Sequence, residues 1–357
     1  MAGNRVVVTL PTYQVLIEPG VSSVIASLVD EQAPAHRIAI VSDSNVAPLY
    51  GRRVLDAFGG RARLFTIPAG ETAKTRDTWA AVTDQMLAAG FARDTTLIAL
   101  GGGVVGDLGG FVAATYMRGI PFVQMPTTLL AMIDASIGGK VGVDTPSGKN
   151  LVGAFHQPAL VVIDPQTIAT LPANHFRAGL AEALKHGVVA SSSYFDLVAG
   201  ATETTARDDV LLMDVVSESV RIKASIVSRD EKESGMRKVL NFGHTIGHAI
   251  EAVTNYQLLH GEAVAIGMSL EARLAEQLGI AERGTSTRIQ SALKSLGLPT
   301  ALPPLDRGAV LNATKSDKKA RSGRVEYALP ERIGSMAGRQ SGWAMPVADS
   351  DVRTALE

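Results

Sequence analysis

The stretch TTLIALGGGVVGDLGGF, residues 95–111, passes from an apolar run into three consecutive glycines and then into a helical pattern that continues to Tyr116. An apolar run without polar alternation fits a strand covered on both faces. Glycines between such a strand and a helix N-terminus let backbone N–H groups approach a pyrophosphate, which the helix dipole also favours. Close packing of strand on helix needs the same residues, and the stretch departs from the GxGxxG fingerprint, so the pattern leaves both explanations open. Either way, it marks a β-turn-α unit.

Six further β-rich runs flank it, at residues 5–10, 13–18, 37–42, 63–67, 122–125 and 159–164, with a helical pattern at 75–89. Several are continuously apolar, so residues 1–177 are expected to form a Rossmann-like, doubly wound parallel sheet of α/β class. Asp43 ends the run IAIVSD, where an acidic side chain could accept from ribose hydroxyls. From about Ala178 the pattern is helix after helix, at 178–189, 208–228, 239–252, 262–278 and 284–296. Residues 178–357 are therefore expected to be an all-helical domain, interrupted by a short hairpin at 324–329, with ligand held in the cleft between the halves.

Composition narrows the function. The 357 residues carry a net charge of −1, with 46% hydrophobic and 19% charged side chains, which describes a folded, soluble protein without general attraction to nucleic acid or anionic membrane. There is no signal-like N-terminal segment and no run long enough for a membrane span, so a cytoplasmic setting is expected. With no cysteine, any transition-metal site must use nitrogen and oxygen ligands.

Three of the seven histidines, His244, His248 and His260, fall within NFGHTIGHAIEAVTNYQLLHGEAVAIGM, residues 241–268. His244 and His248 stand four apart and share a helix face, so spacing alone nominates them as a ligand pair; satisfied core histidines are the ordinary alternative. In GLAEALKHG, Glu182 and Lys185 are three apart, which suits an ion pair as well as a ligand beside an acid. Arg118, Lys140, Lys149 and Asn150 lie among glycines in residues 117–158, and the GGK and SGKN segments suggest loops that present cations to a phosphorylated or carboxylated substrate.

Together these stretches resemble the 3-dehydroquinate synthase family of sugar-phosphate cyclases. The similarity is carried by PAGETAKT (68–75), GGGVVGDLGGF (101–111), PTTLLAMIDASIGGKVGVDTPSGKNLVGAFHQP (126–158), GLAEALKHG (179–187), NFGHTIGHAIE (241–251), HGEAVAIGM (260–268) and SDKKARSG (316–323). It implies a homodimeric lyase that uses NAD⁺ and a divalent metal, zinc or alternatively cobalt, to turn 3-deoxy-D-arabino-heptulosonate 7-phosphate into 3-dehydroquinate and phosphate. The implied course is transient oxidation, β-elimination of phosphate, reduction, ring opening and aldol closure.

By motif position, the resemblance makes Glu182, His244 and His260 the metal ligands and moves His248 to the substrate. NAD⁺ would be held by Asp43, Asn45, Glu71, Lys74, Gly103, Val104, Asp107, Thr127, Thr128, Lys140, Lys149, Thr170 and Leu171. Substrate contacts would come from Asp134, Lys140, Asn150, Lys185, Lys223, Glu233, Arg237, Asn241, His248 and one of Lys318 and Lys319, with Lys319 preferred. Arg118 would enter the partner subunit's site. Asn174 and His175 depart from the family, which often has a charged residue there. Two alternatives share the architecture: another sugar-phosphate cyclase, and a metal-dependent polyol dehydrogenase of the glycerol type.

Overall fold

The computed structural model describes residues 5–201, 208–315, 320–321 and 324–357. Lys318 and Lys319 lie outside the described residues. The chain forms two compact units, Met1–Leu171 and Pro172–Glu357. The boundary thus precedes the expected division at 177/178, because Pro172 opens a helix, Ala173–Ala190, that runs straight through that point. Asn174 and His175 sit exposed in its first turn.

The first unit is built on strands β1 (Val6–Thr9), β2 (Gln14–Ile17), β3 (Arg37–Asp43), β4 (Ala62–Ile67), β5 (Thr95–Gly101), β6 (Phe122–Pro126), β7 (Lys140–Thr145), β8 (Gly148–Phe155) and β9 (Leu160–Ile163). Seven of them make one sheet in the order β1-β2-β9-β6-β5-β3-β4. All neighbours in it are parallel except β1 on β2, an antiparallel edge. Helices α1 (Ile25–Gln32) and α2 (Arg52–Ala57) share a core with Ile38, Ile40, Ile98 and Leu100 on one face. Helices α3 (Arg76–Ala88) and α4 (Gly103–Thr115) share the opposite core with Ala39, Val41, Leu97 and Ala99. Adjacent strand residues therefore feed opposite cores, which is why these runs lack polar alternation. From β3 the chain moves outward to β4 and then returns to β5 on the other side of β3. That reversal is a topological switch point, where doubly wound sheets open a crevice at their carboxyl edge.

The glycines of residues 101–111 divide between the two explanations left open by the sequence. A Cβ on Gly110 would lie 2.4 Å from Val141 Cγ1, and one on Gly101 2.6 Å from Val105 Cγ2, so both are required by packing. A Cβ on Gly103 would meet nothing nearer than 3.5 Å, an ordinary contact. Packing does not demand glycine there.

Residues 138–150, expected as cation-presenting loops, instead fold largely into the antiparallel hairpin β7–β8. Val141 and Val143 are buried beside α4, and Lys140 is exposed at the start of the hairpin. Glycines and charges within the segment hid its strand character.

The second unit contains α5 (Ala173–Ala190), α6 (Ser192–Ala199), α7 (Asp209–Arg229), α8 (His244–Val253), α9 (His260–Gln277), α10 (Thr285–Ser295), α11 (Arg307–Lys315) and α12 (Asp349–Ala355). It is not wholly helical: β10 (Ala320–Arg321), β11 (Arg324–Tyr327), β12 (Pro330–Arg332), β13 (Ser335–Met336) and β14 (Met345–Pro346) make short antiparallel pairings. The helix expected at 239–252 is broken, since a 3₁₀ turn ends at Asn241 and Gly243 adopts φ 78° before α8 begins.

Replacing Gly110 by Val should destabilise the first unit by about 1–3 kcal/mol, the usual range for overpacking a filled core. Thermal denaturation checks this, and an unchanged midpoint would mean that α4 and β7 can separate without cost.

Candidate metal centre and nucleotide-binding edge

In the second unit, α5, α8 and α9 each direct one polar side chain to a common point. Glu182 of α5 is 0% exposed, and its Oε1 lies 3.4 Å from Nε2 of His244 and 3.4 Å from Nε2 of His260. Ligand atoms held about 2.0–2.2 Å from a tetrahedral ion stand about 3.3–3.6 Å apart, so these separations fit one ion among three ligands. The Nδ1 atoms face away from the ion position. His244 Nδ1 is 3.1 Å from the Phe242 carbonyl and His260 Nδ1 is 3.2 Å from Glu251 Oε2, contacts that place a proton on each Nδ1 and leave Nε2 as the nitrogen available to an ion.

Electrostatics set the two rings apart while no ion is bound. Burial and the Lys185 ammonium push His244 well below the ordinary imidazole value, keeping it neutral. Burial opposes protonation of His260 as well, but the Glu251 and Glu182 carboxylates outweigh it and raise its pKa to about 10. Lys185 contacts Glu182 Oε2, so the Glu182–Lys185 pair is a buried ion pair whose other carboxylate oxygen faces the imidazoles. His248 completes a cluster of rings, with centroids 5.2 Å from His244 and 5.8 Å from His260.

Two carboxylates without an assigned role emerge around this centre. Glu251 backs His260, as above. Glu271 of α9 is 0% exposed, and its two oxygens accept from the backbone N–H groups of Gly243 at 2.7 Å and Ile246 at 2.9 Å. It thereby ties α9 to the first turn of α8, where His244 sits. The helices touch closely enough that a Cβ on Gly267 would lie 2.0 Å from the Gly243 carbonyl oxygen. An acidic residue inside the apolar run VAIGMSLEARL is the sequence signal that could have revealed Glu271.

The turn after α7 gathers a second group. Asp230 accepts from the backbone N–H groups of Ser234 (2.9 Å), Gly235 (2.7 Å) and Arg237 (3.0 Å). Burial works against its charge, yet these donors hold its pKa below the ordinary value. The turn places Glu233 at φ 57°, where its Oε1 accepts from Asn241 Nδ2 at 2.6 Å. Arg237 is 2% exposed and donates to the Glu231 carbonyl at 2.5 Å, and Lys223 is 6% exposed on α7.

In the first unit, expected nucleotide residues follow the carboxyl ends of the parallel strands. Asp43 ends β3 and its Oδ1 accepts from the N–H groups of Asn45 and Val46, at 2.8 and 2.9 Å. Gly103 and Val104 begin α4, whose N-terminus carries no side-chain cap. That leaves the dipole and first-turn N–H groups suited to a phosphate. Lys74 is 3% exposed, with Nζ 2.5 Å from Asp107 Oδ2 and 3.9 Å from Glu71 Oε1, while Lys149 reaches Glu71 at 3.2 Å. Burial disfavours the Lys74 ammonium, but Asp107 and Glu71 outweigh it and raise its pKa. Thr127 follows β6, Thr128 Oγ1 accepts from Ala131 N–H at 3.2 Å, and Thr170 Oγ1 is 2.6 Å from the Tyr50 hydroxyl. Leu171 is the last residue of the unit. Asp134 lies half-buried in the turn Ala131–Ala135, Asn150 is exposed with φ 52°, and Arg118 is exposed with φ 70° after α4.

Family models match both parts of the chain: one described as 3-dehydroquinate synthase N-terminal over residues 64–178, and one described as 3-dehydroquinate synthase C-terminal over residues 179–320. The chain belongs to the 3-dehydroquinate synthase family. It is 46% identical to the 3-dehydroquinate synthase of Symbiobacterium thermophilum over 331 residues, 91% of this chain and 92% of that one. The enzyme of the same name from Pelobacter propionicus is 44% identical, over 90% of this chain and 91% of the relative. Among solved structures, a 2-epi-5-epi-valiolone synthase from Streptomyces hygroscopicus subsp. jinggangensis 5008, with NAD⁺ and Zn²⁺ bound, is 31% identical with a TM-score of 0.85, over 98% of this chain and 97% of that chain.

Replacing His260 by Ala should abolish tight binding of a divalent ion and lower turnover about a thousandfold or more, the loss of several kcal/mol of Lewis-acid stabilisation. Metal analysis after dialysis, beside circular dichroism to check folding, tests this. The raised His260 pKa also has a sign: the metal-free ring holds its proton at neutral pH, so ion binding must expel it. Apparent affinity should therefore rise with pH from acid toward about 10. The slope should be up to about tenfold per pH unit for one proton. Calorimetry in buffers of different ionisation enthalpy measures the proton released, and binding without release would contradict the assigned charge state.

Proposed function

We propose that the chain converts 3-deoxy-D-arabino-heptulosonate 7-phosphate to 3-dehydroquinate and phosphate, a carbon–oxygen lyase reaction of the shikimate pathway toward aromatic amino acids. The observation that supports this most is the convergence of Glu182, His244 and His260, with both Nε2 atoms 3.4 Å from one carboxylate oxygen, in a chain that synthase models match in both halves. When bound, NAD⁺ would supply a reversible hydride acceptor, and a divalent ion, zinc or cobalt, would supply a Lewis acid at a substrate hydroxyl.

The first unit would bind the nucleotide. Asp43 and Asn45 suit the ribose, the N–H groups of Gly103 and Val104 suit the pyrophosphate, and Glu71, Lys74, Asp107, Lys149, Thr127, Thr128, Thr170 and Leu171 complete the contacts. Lys140 and Asn150, with Lys319, would hold the substrate phosphate. From the second unit, Lys223 and Arg237 would clamp the carboxylate, the guanidinium by its two-pronged fork. Glu233 and Asn241, already paired with each other, would face substrate hydroxyls. Asp134, Lys185 and His248 would be the candidates to move protons, if the departing phosphate does not serve as base itself. Arg118 would complete the partner subunit's site in a homodimer.

The decisive assay supplies 3-deoxy-D-arabino-heptulosonate 7-phosphate with NAD⁺ and Zn²⁺, and follows phosphate and NADH together. We expect phosphate release that a chelator abolishes, without net NADH, because the hydride returns in each turnover. NADH accumulating without phosphate would favour a polyol dehydrogenase. Silence on this substrate, with phosphate released from another sugar phosphate, would favour a different cyclase.

A further inference from the structure

We propose that Glu251 is a positioning residue for the metal centre, fixing the ring of His260 from outside the ion's ligand set; this rests on the metal-binding role proposed above. Glu251 lies on α8 and is 1% exposed. A carboxylate withdrawn from water costs several kcal/mol unless charge-assisted hydrogen bonds offset it. Its Oε2 is 3.2 Å from Nδ1 of His260, while Nε2 of the same ring is 3.4 Å from Glu182 Oε1. The imidazole is held between two carboxylates, one at each nitrogen. With an ion bound the imidazole is neutral and has one N–H and one coordinating lone pair, so the nitrogen that donates to Glu251 leaves the other for coordination. Accepting that proton sets the tautomer, restrains ring rotation and strengthens the ligand.

The location calls for such a restraint. His260 is the first residue of α9, preceded by Leu259, which has no polar side chain to cap the helix. The helix start is held instead by Glu262, whose Oε2 accepts from the Leu259 N–H at 3.0 Å. Glu251 then reaches from α8 to the first side chain of α9, as Glu271 reaches from α9 to the first turn of α8. The two ligand-bearing helices anchor one another through reciprocal carboxylates.

A rival arrangement shares these atoms. His248, Glu251 and His260 also bring three ligand atoms within 4.8 Å of one another, so Glu251 could in principle ligate an ion itself. Both positions need His260, and one neutral imidazole has a single lone pair to give. His244 decides between them: the Phe242 carbonyl takes its Nδ1 proton, and its Nε2 turns to the same Glu182 oxygen that His260 faces.

Full-length, metal-stripped Glu251→Gln and Glu251→Ala proteins, titrated with Co²⁺ alone in the absence of NAD⁺ and substrate, test the assignment. Visible absorption and the ion-to-chain ratio are the readouts. We expect one ion per chain in wild type and in both variants, with affinity reduced about tenfold for Gln and up to about a hundredfold for Ala, and with a shifted visible band. Variants with wild-type affinity and spectrum would overturn the proposal while leaving the metal centre intact. Two ions in wild type and one in Glu251→Gln would make Glu251 a ligand and overturn it too. Wild type that binds no Co²⁺ would defeat the metal centre and this proposal together. Should Glu251→Ala fail to fold, Glu251→Gln, which keeps size and a carbonyl acceptor, decides alone.

Discussion

Glu182 carries a carboxylate with no exposed surface at the point where α5, α8 and α9 meet. A lone buried charge of this kind would neutralise or unfold its surroundings. Here the Lys185 ammonium meets one oxygen and His260, which holds its proton while no ion is bound, meets the other, so the helices that bring those groups must stay in place. The second unit's packing follows from that requirement. α8 and α9 cross with Gly267 against the Gly243 carbonyl, and Glu271 pins the first turn of α8. Ile246, Ile250, Ala263 and Ile266 fill the apolar side of the same crossing. The chemistry-bearing side of each helix is therefore fixed by the side that packs.

The first unit follows a different constraint. A sheet buried on both faces exposes its loops at its edges, and the reversal at β3 opens the carboxyl edge beside Asp43 and the N-terminus of α4. Within one glycine-rich run, Gly101 and Gly110 serve strand–helix packing while Gly103 has room for a side chain. A single sequence pattern thus meets two physical needs at adjacent positions.

Legibility in the sequence tracks how local the governing interaction is. All seven strands of the main sheet were readable as β-rich runs, and the inner strands β3, β5 and β9 as largely apolar ones, because burial on two faces is written directly into side-chain type. The antiparallel β1–β2 edge was not, since strand direction depends on partners. The β7–β8 hairpin escaped notice because its glycines erase alternation. The break before α8 turns on the backbone angle of one residue, Gly243. At the metal centre, spacing favoured His244 with His248, yet the nitrogen atoms that share a carboxylate oxygen belong to His244 and His260, on separate helices. No periodicity within one helix encodes such a meeting. Glu251 and Glu271 are likewise invisible to spacing, because each acts across the α8–α9 contact.

The most direct measurement is X-ray absorption at the zinc edge on the metal-loaded protein, combined with anomalous diffraction to place the ion. One zinc per chain, bonded to two imidazole nitrogens and a carboxylate oxygen at about 2.0–2.2 Å, and sited among Glu182, His244 and His260, is the required result. An ion centred instead on His248 and Glu251, or one lacking Glu182 as a ligand, would contradict it.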